Sequence, residues 1–255
     1  SCMRLPIFGR KGPDPAEAQE REKGISEGLD AMLHALEAQP ESPSNNPLQR
    51  DMFRAILAIN RLILKSSHVT RIEDVFGVLG ATGGFSCIVA AMDYYYNSGQ
   101  QIDREAMLMA TDTDGQNYYF GDLPNQILLE HDASFLSLTF GLPEIPLADE
   151  SRELVRDVFE HVAGSIGQPD FGMPRLPATH RPADLPINYV KQFWPPIRAK
   201  MEACDVPISQ RPATLGLAVQ HVLTIAEELL DRQTATQIVV EYAVPMAKID
   251  PAKFG

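Results

Sequence analysis

The residues with the greatest chemical reach are Cys87, in the run GGFSCIVAA, and the neighbours His131 and Asp132 further along the chain. A cysteine that follows a glycine turn and opens an apolar helix has its thiolate favoured by the helix dipole. Nucleophilic catalysis then requires a base within hydrogen-bond reach and a group that orients the base. His131 would be that base and Asp132 the orienting group, with Asn125 as a second choice. The order cysteine, hairpin, histidine is loosely that of some cysteine acyl-transfer enzymes, although no local signature of a known family accompanies it. The competing reading is that Cys87 packs as a small apolar group, as free cysteines commonly do.

A second motif is VLGATGG, residues 78–84, in which Gly80 and Gly83 fit the second and third glycines of a dinucleotide-binding turn and Val78 stands at the first. Such a turn brings backbone close to a pyrophosphate at a helix N-terminus. No regular strand–helix alternation follows it, so close helix packing accounts better for the glycines, and no cofactor is expected. Metal chemistry finds little support. The histidines His34, His68, His131, His161, His180 and His221 are scattered. The segment ATDTDG resembles a calcium loop, yet aligning Gly115 on the loop glycine puts Ala110 and Gly121 where acids are needed. Its aspartates read as turn formers, and no metal is expected.

Tyrosine gives the strongest binding signal. Five of the seven tyrosines are Tyr94, Tyr95, Tyr96, Tyr118 and Tyr119. Three consecutive tyrosines cannot all face one core on a helix or a strand, so at least one points outward. With a large apolar body and a polar tip, tyrosine suits interface hot spots. These five, with Asp122, form the expected contact surface; the alternative is that they pack across a hairpin.

The elements that must position these groups follow from pattern. Asn46-Pro47 starts a helix whose apolar face, Met52 to Leu64, runs to about Lys65. Asp14-Pro15 starts an earlier one that reaches about Ala38. Val75 to Met92 carries no charge. As a helix it would span roughly 27 Å, just short of the ~30 Å hydrocarbon core of a bilayer. Four glycines, acidic flanks and the lack of a Lys/Arg cluster argue against a membrane span and for a buried core helix, with the glycines as the places where it could break. Asp114-Gly115 marks a hairpin with strands at 107–113 and 116–120. Asp122 can cap a short helix, and SFLSLTF is undecided. Leu154 to Val162 is an amphipathic helix ending near Gly164 or Gly167. Residues 168–186, with five prolines, read as a long extended loop or linker. Pro195-Pro196 should interrupt the next helix. Ala213 to Leu230 is helical, and TQIVVEYAV is helix or strand.

The chain has 255 residues, 44% of them hydrophobic, and 34 acidic against 22 basic side chains for a net charge of −12. That sign repels phosphate backbones and argues against nucleic-acid binding. Cys2, Cys87 and Cys204 show no metal or redox spacing, and the N-terminal stretch has no apolar run followed by a cleavage site, so a reducing cytoplasm is expected. The fold expected is mainly α: a flexible tail at 1–13, then one α-rich domain over 14–255 with a small central β-hairpin. The alternative is a split into 14–167 and 187–255. The function expected is that of a soluble cytoplasmic binding or assembly protein without catalysis, contacting a protein partner or a second copy through the Tyr94–Asp122 region. The alternative is a cysteine-dependent acyl-transfer or hydrolytic enzyme with Cys87, His131 and Asp132. A nucleotide-dependent enzyme using residues 78–84 is the third class.

Overall fold

A computed structural model describes residues 27–38, 44–141 and 149–254. The expected tail, Cys2 and the start at Asp14-Pro15 lie outside the described residues. Among the described residues the fold is mainly α with a single two-stranded antiparallel hairpin. Helix α1 covers 27–37. Helix α2, Pro47–Leu64, begins as its sequence dictates: Asn46 Oδ1 accepts from the amides of Leu48 and Gln49 at 3.0 and 3.4 Å.

Helix α3, Ile72–Asn97, is the axis of the molecule. It is apolar on all sides and flanked by α2, α7 (Pro186–Ala203), α8 (Arg211–Ile225) and α9 (Arg232–Met246). It is long and apolar enough to cross a membrane, but 89% of its most apolar window is buried inside the fold. The glycines do not break it. A Cβ on Gly80 would lie 2.8 Å from the Val239 carbonyl oxygen, and one on Gly84 only 2.0 Å from that of Ala243. The glycines therefore let α3 and α9 touch backbone to backbone.

Asp74 fixes the start of α3 and is fully buried. Its Oδ2 accepts from the amides of Thr70 and Arg71 at 3.0 Å each and from the Thr70 hydroxyl at 3.3 Å. Its Oδ1 accepts from the Ala183 amide at 2.8 Å and the Tyr189 hydroxyl at 3.0 Å. The proline-rich segment 168–186 is thereby strapped across the end of α3. A second anchor is the Arg175 amide, which donates to Oε2 of the buried Glu241 on α9 at 3.2 Å. One cluster of buried side chains runs from Leu29 to Ile249 and draws on both sides of that segment.

Four local expectations need correction or settlement. Helix α7 runs straight through Pro195 and Pro196. Buried Phe193, Trp194 and Ile197 hold it helical, so packing outweighs the local bias against αR before proline. TQIVVEYAV lies within α9: it is buried against α3, and its β-branched preference for strand is overridden. SFLSLTF is helix α5, Phe135–Phe140, capped by Ser134 accepting from the Ser137 amide. Asp122 does not cap; it is the first residue of a short helix α4, Asp122–Asn125, whose cap position is Gly121. A π-helical turn, Gln126–Glu130, follows directly. Helix α6 is Asp149–Ser165, lying against α9.

The hairpin pairs β1, Leu108–Thr111, with β2, Asn117–Phe120. Its loop is held by Asp112, whose Oδ1 accepts from the amides of Asp114 and Gln116 at 2.9 and 2.8 Å, with Gly115 at φ +76°. The aspartates of this segment are thus engaged in turn chemistry. On its other side β2 meets the chain after α9, where the Tyr119 amide donates to the Lys248 carbonyl at 2.8 Å.

Candidate functional site

The structure does not bring Cys87, His131 and Asp132 together. Cys87 sits in the middle of α3 rather than at a helix start, so no dipole end faces its sulfur. It is fully buried, its thiol donates to the Gly83 carbonyl at 3.2 Å, and the Ile127 carbonyl lies 3.9 Å from its sulfur. Burial pushes its pKa far above the ordinary thiol value. His131 and Asp132 are exposed on the loop after the π-helical turn, and His131 Nδ1 accepts from the Ala133 amide at 3.3 Å. A nucleophile needs a thiolate and a base in contact; burial disfavours the thiolate, and among the described residues no imidazole or carboxylate hydrogen-bonds the Cys87 sulfur, the nearby charge being that of Lys248. Residues 78–84 likewise form no phosphate-binding turn, because they are interior turns of α3 with their amides inside the helix.

The tyrosines divide into two groups. Tyr94 and Tyr96, on the last turns of α3, are exposed, and Tyr95 between them packs partly on the core. The rings of Tyr95 and Tyr96 meet edge to face at 5.1 Å, and the Tyr94 hydroxyl donates to Gln100 Oε1 at 2.8 Å. Tyr118 and Tyr119 on β2 are buried. Tyr118 packs edge to face on Phe171 at 4.9 Å and donates to Asp112 Oδ2 at 3.2 Å. Burial first, then the charges of Asp250 and the nearby Tyr96, raise the Tyr119 pKa. Asp122 is exposed beyond the hairpin.

Sequence reasoning expected a strand over 107–113 but missed the exposure of β1, Leu108–Thr111, and its open outer edge. All four of its residues are exposed, Leu108 at 51% and Met109 at 58%. Asp112 and Gln116 form a hydrogen-bonded pair, so Ala110–Tyr118 and Leu108–Phe120 do as well. The N–H and C=O groups of Met109 and Thr111 therefore point away from β2, and among the described residues nothing pairs with them. Met109 stands opposite Tyr119, which lies near Tyr96. The open strand edge thus runs between two exposed apolar side chains on opposite faces, Met109 on the face of Tyr119 and Leu108 on the other. An excess of exposed apolar residues on an edge strand was visible in MLMAT only once its pairing was known.

Sequence reasoning also missed Lys248, which directly follows the buried run that ends α9 and is only 4% exposed. Its ammonium donates to Asn125 Oδ1 at 2.7 Å and lies 5.2 and 5.8 Å from the ring centres of Phe159 and Phe120. Among the described residues no carboxylate lies within ion-pair distance of it. Burial lowers its pKa to about 8. Asn125 and Phe159 also line a cavity of about 300 Å³ between α6 and the π-helical turn, with Leu129, Glu130, Arg152, Val155 and Arg156. The only signal in sequence is a lone lysine inside VVEYAVPMAKI. No family model, curated protein or solved structure matches the chain.

Proposed function

We propose that this protein works by binding another protein, using the open edge of β1 and the adjacent end of α3 as its contact surface. The observation that carries the reading is the edge at Met109 and Thr111, unpaired among the described residues and carrying exposed Leu108 and Met109, with Tyr96 68% exposed at the end of α3. An exposed apolar edge strand is a template for another strand, and natural proteins ordinarily blunt one with charge or proline. Here β1 carries neither. A second copy is the first partner to test, since antiparallel pairing centred on Ala110 would set Met109 against Thr111 of the other copy. The burial of Cys87 supports a role without cysteine chemistry.

Light scattering across a concentration series is the test, on wild type, Met109→Lys and Tyr96→Ala. Tyr95 and Tyr118 are poor choices because both support the core. Concentration-dependent association that Met109→Lys abolishes supports a second copy. A monomer at every concentration removes self-association and leaves a different protein as partner.

A further inference from the structure

Lysine is almost never buried without an acidic partner, because the ammonium loses its hydration. Lys248 is buried, and among the described residues its one hydrogen-bond acceptor is a neutral amide. That arrangement sets the orientation of Asn125. Lysine offers only donors, so Asn125 must turn its oxygen to Lys248 and its NH2 elsewhere. The Asn125 Nδ2 makes no hydrogen bond among the described residues, and Asn125 lines the cavity. Arg152, on the α6 side of the cavity, makes no ion pair among the described residues; Arg156 pairs at 3.7 Å with the exposed Glu153. Glu130 is the single acid in the lining. In a chain of net charge −12, this cavity gathers two guanidiniums at its mouth and an ammonium behind its wall. The remaining lining is apolar.

We infer that the cavity between α6 and the turn 126–130 binds a small organic carboxylate, its acid group held by Asn125 Nδ2 and Arg152 and its hydrocarbon body against Leu129, Val155 and Phe159. A carboxylate accepts from both donors at once and answers the positive charge, whereas a neutral amide leaves Arg152 unmatched. The volume is at the small end for ligand sites and suits a short chain or a single ring. Lys248 is a positioning residue: it orients Asn125 and does not itself line the cavity. The site shares no residue with the β1 surface and does not depend on the function proposed above.

Calorimetric titration of the full chain with octanoate, and separately with octanamide, tests the inference. Saturable octanoate binding is expected, with octanamide about tenfold weaker or more, the loss expected for one charge-assisted contact. Arg152→Gln, at an exposed position, should weaken octanoate about tenfold while leaving octanamide unchanged. Leu129→Trp should block both, with circular dichroism confirming its fold. Absence of saturable octanoate binding up to about 10 mM overturns the inference. So does equal binding of octanoate and octanamide, and so does undiminished octanoate binding by Arg152→Gln or by folded Leu129→Trp.

Discussion

Replacing Gly84 by alanine adds one methyl group to the interior of α3, where intrinsic preference favours alanine by about 1 kcal/mol. The surroundings reverse that sign. The new Cβ would lie 2.0 Å from the Ala243 oxygen and 2.6 Å from its carbonyl carbon. Ordinary contact begins at 3.4 Å, so α3 and α9 must part by about 1.4 Å along their seam. The obstacle is backbone and cannot rotate aside, unlike the Phe135 ring that faces Gly83. Overpacking of a close-packed core costs about 1–3 kcal/mol and occasionally more. A clash against main chain belongs at the upper end, leaving a net loss of about 2 kcal/mol or more after the helical gain. For a chain of this size that lowers the unfolding midpoint by about 4–8 °C or more. Gly164 on α6 is the matched control: nothing lies within 4 Å of its Cβ position. There the same substitution should stabilise by about 0.5–1 kcal/mol and raise the midpoint by roughly 1–4 °C. Thermal unfolding followed by circular dichroism reads both. If Gly84→Ala matches wild type, or if both variants move the same way, the backbone contact between α3 and α9 is not as described.

Three further outcomes are expected. Lys248→Met removes a buried charge and should stabilise at pH 7 by about 2 kcal/mol. The folded pKa of about 8 lies below the ordinary lysine value of 10.5, so the penalty is complete below pH 8 and fades towards pH 10.5 as the folded protein sheds its proton first. Urea titrations should therefore show the variant's advantage shrinking over that range, and an advantage constant with pH would contradict this account. Asp74→Ala strands the amides of Thr70, Arg71 and Ala183 and the Tyr189 hydroxyl, and should cost about 3–5 kcal/mol. Limited proteolysis should then cut within 168–186, and a segment that stays protected would show that Asp74 does not anchor it. Cys87, in a variant lacking Cys2 and Cys204, should resist alkylation until the protein is denatured. Rapid reaction of folded protein with a low apparent pKa would restore the nucleophile reading.

How much was legible in the sequence depended on how locally each feature is determined. The start of α2 was readable because Asn46 and Pro47 satisfy the first helical turn by themselves. The hairpin was readable because Asp112 and Gly115 close its loop within a few residues. The uncharged run of α3 was legible as core because an all-round apolar helix must be buried. Its glycines were recognised as packing residues, but their partners on α9 were not, since nothing local tells one helix which other it will touch.

Tertiary structure decided the rest. It kept α7 helical through two prolines and made the β-branched run of α9 a helix, because burying these segments against α3 outweighs a local bias of about 3 kcal/mol per interior proline and at most about 1 kcal/mol per β-branched residue. It withdrew Cys87 from solvent and left His131 on an exposed loop, which no spacing in the chain foretold. It also placed Lys248 beside Asn125 and left β1 without an outer neighbour among the described residues. Residues 125 and 248 meet only because the chain after α9 returns to the hairpin as its third partner. Helix periods and turn chemistry are set by neighbours in sequence, whereas a pocket or an open edge is set by which elements pack together.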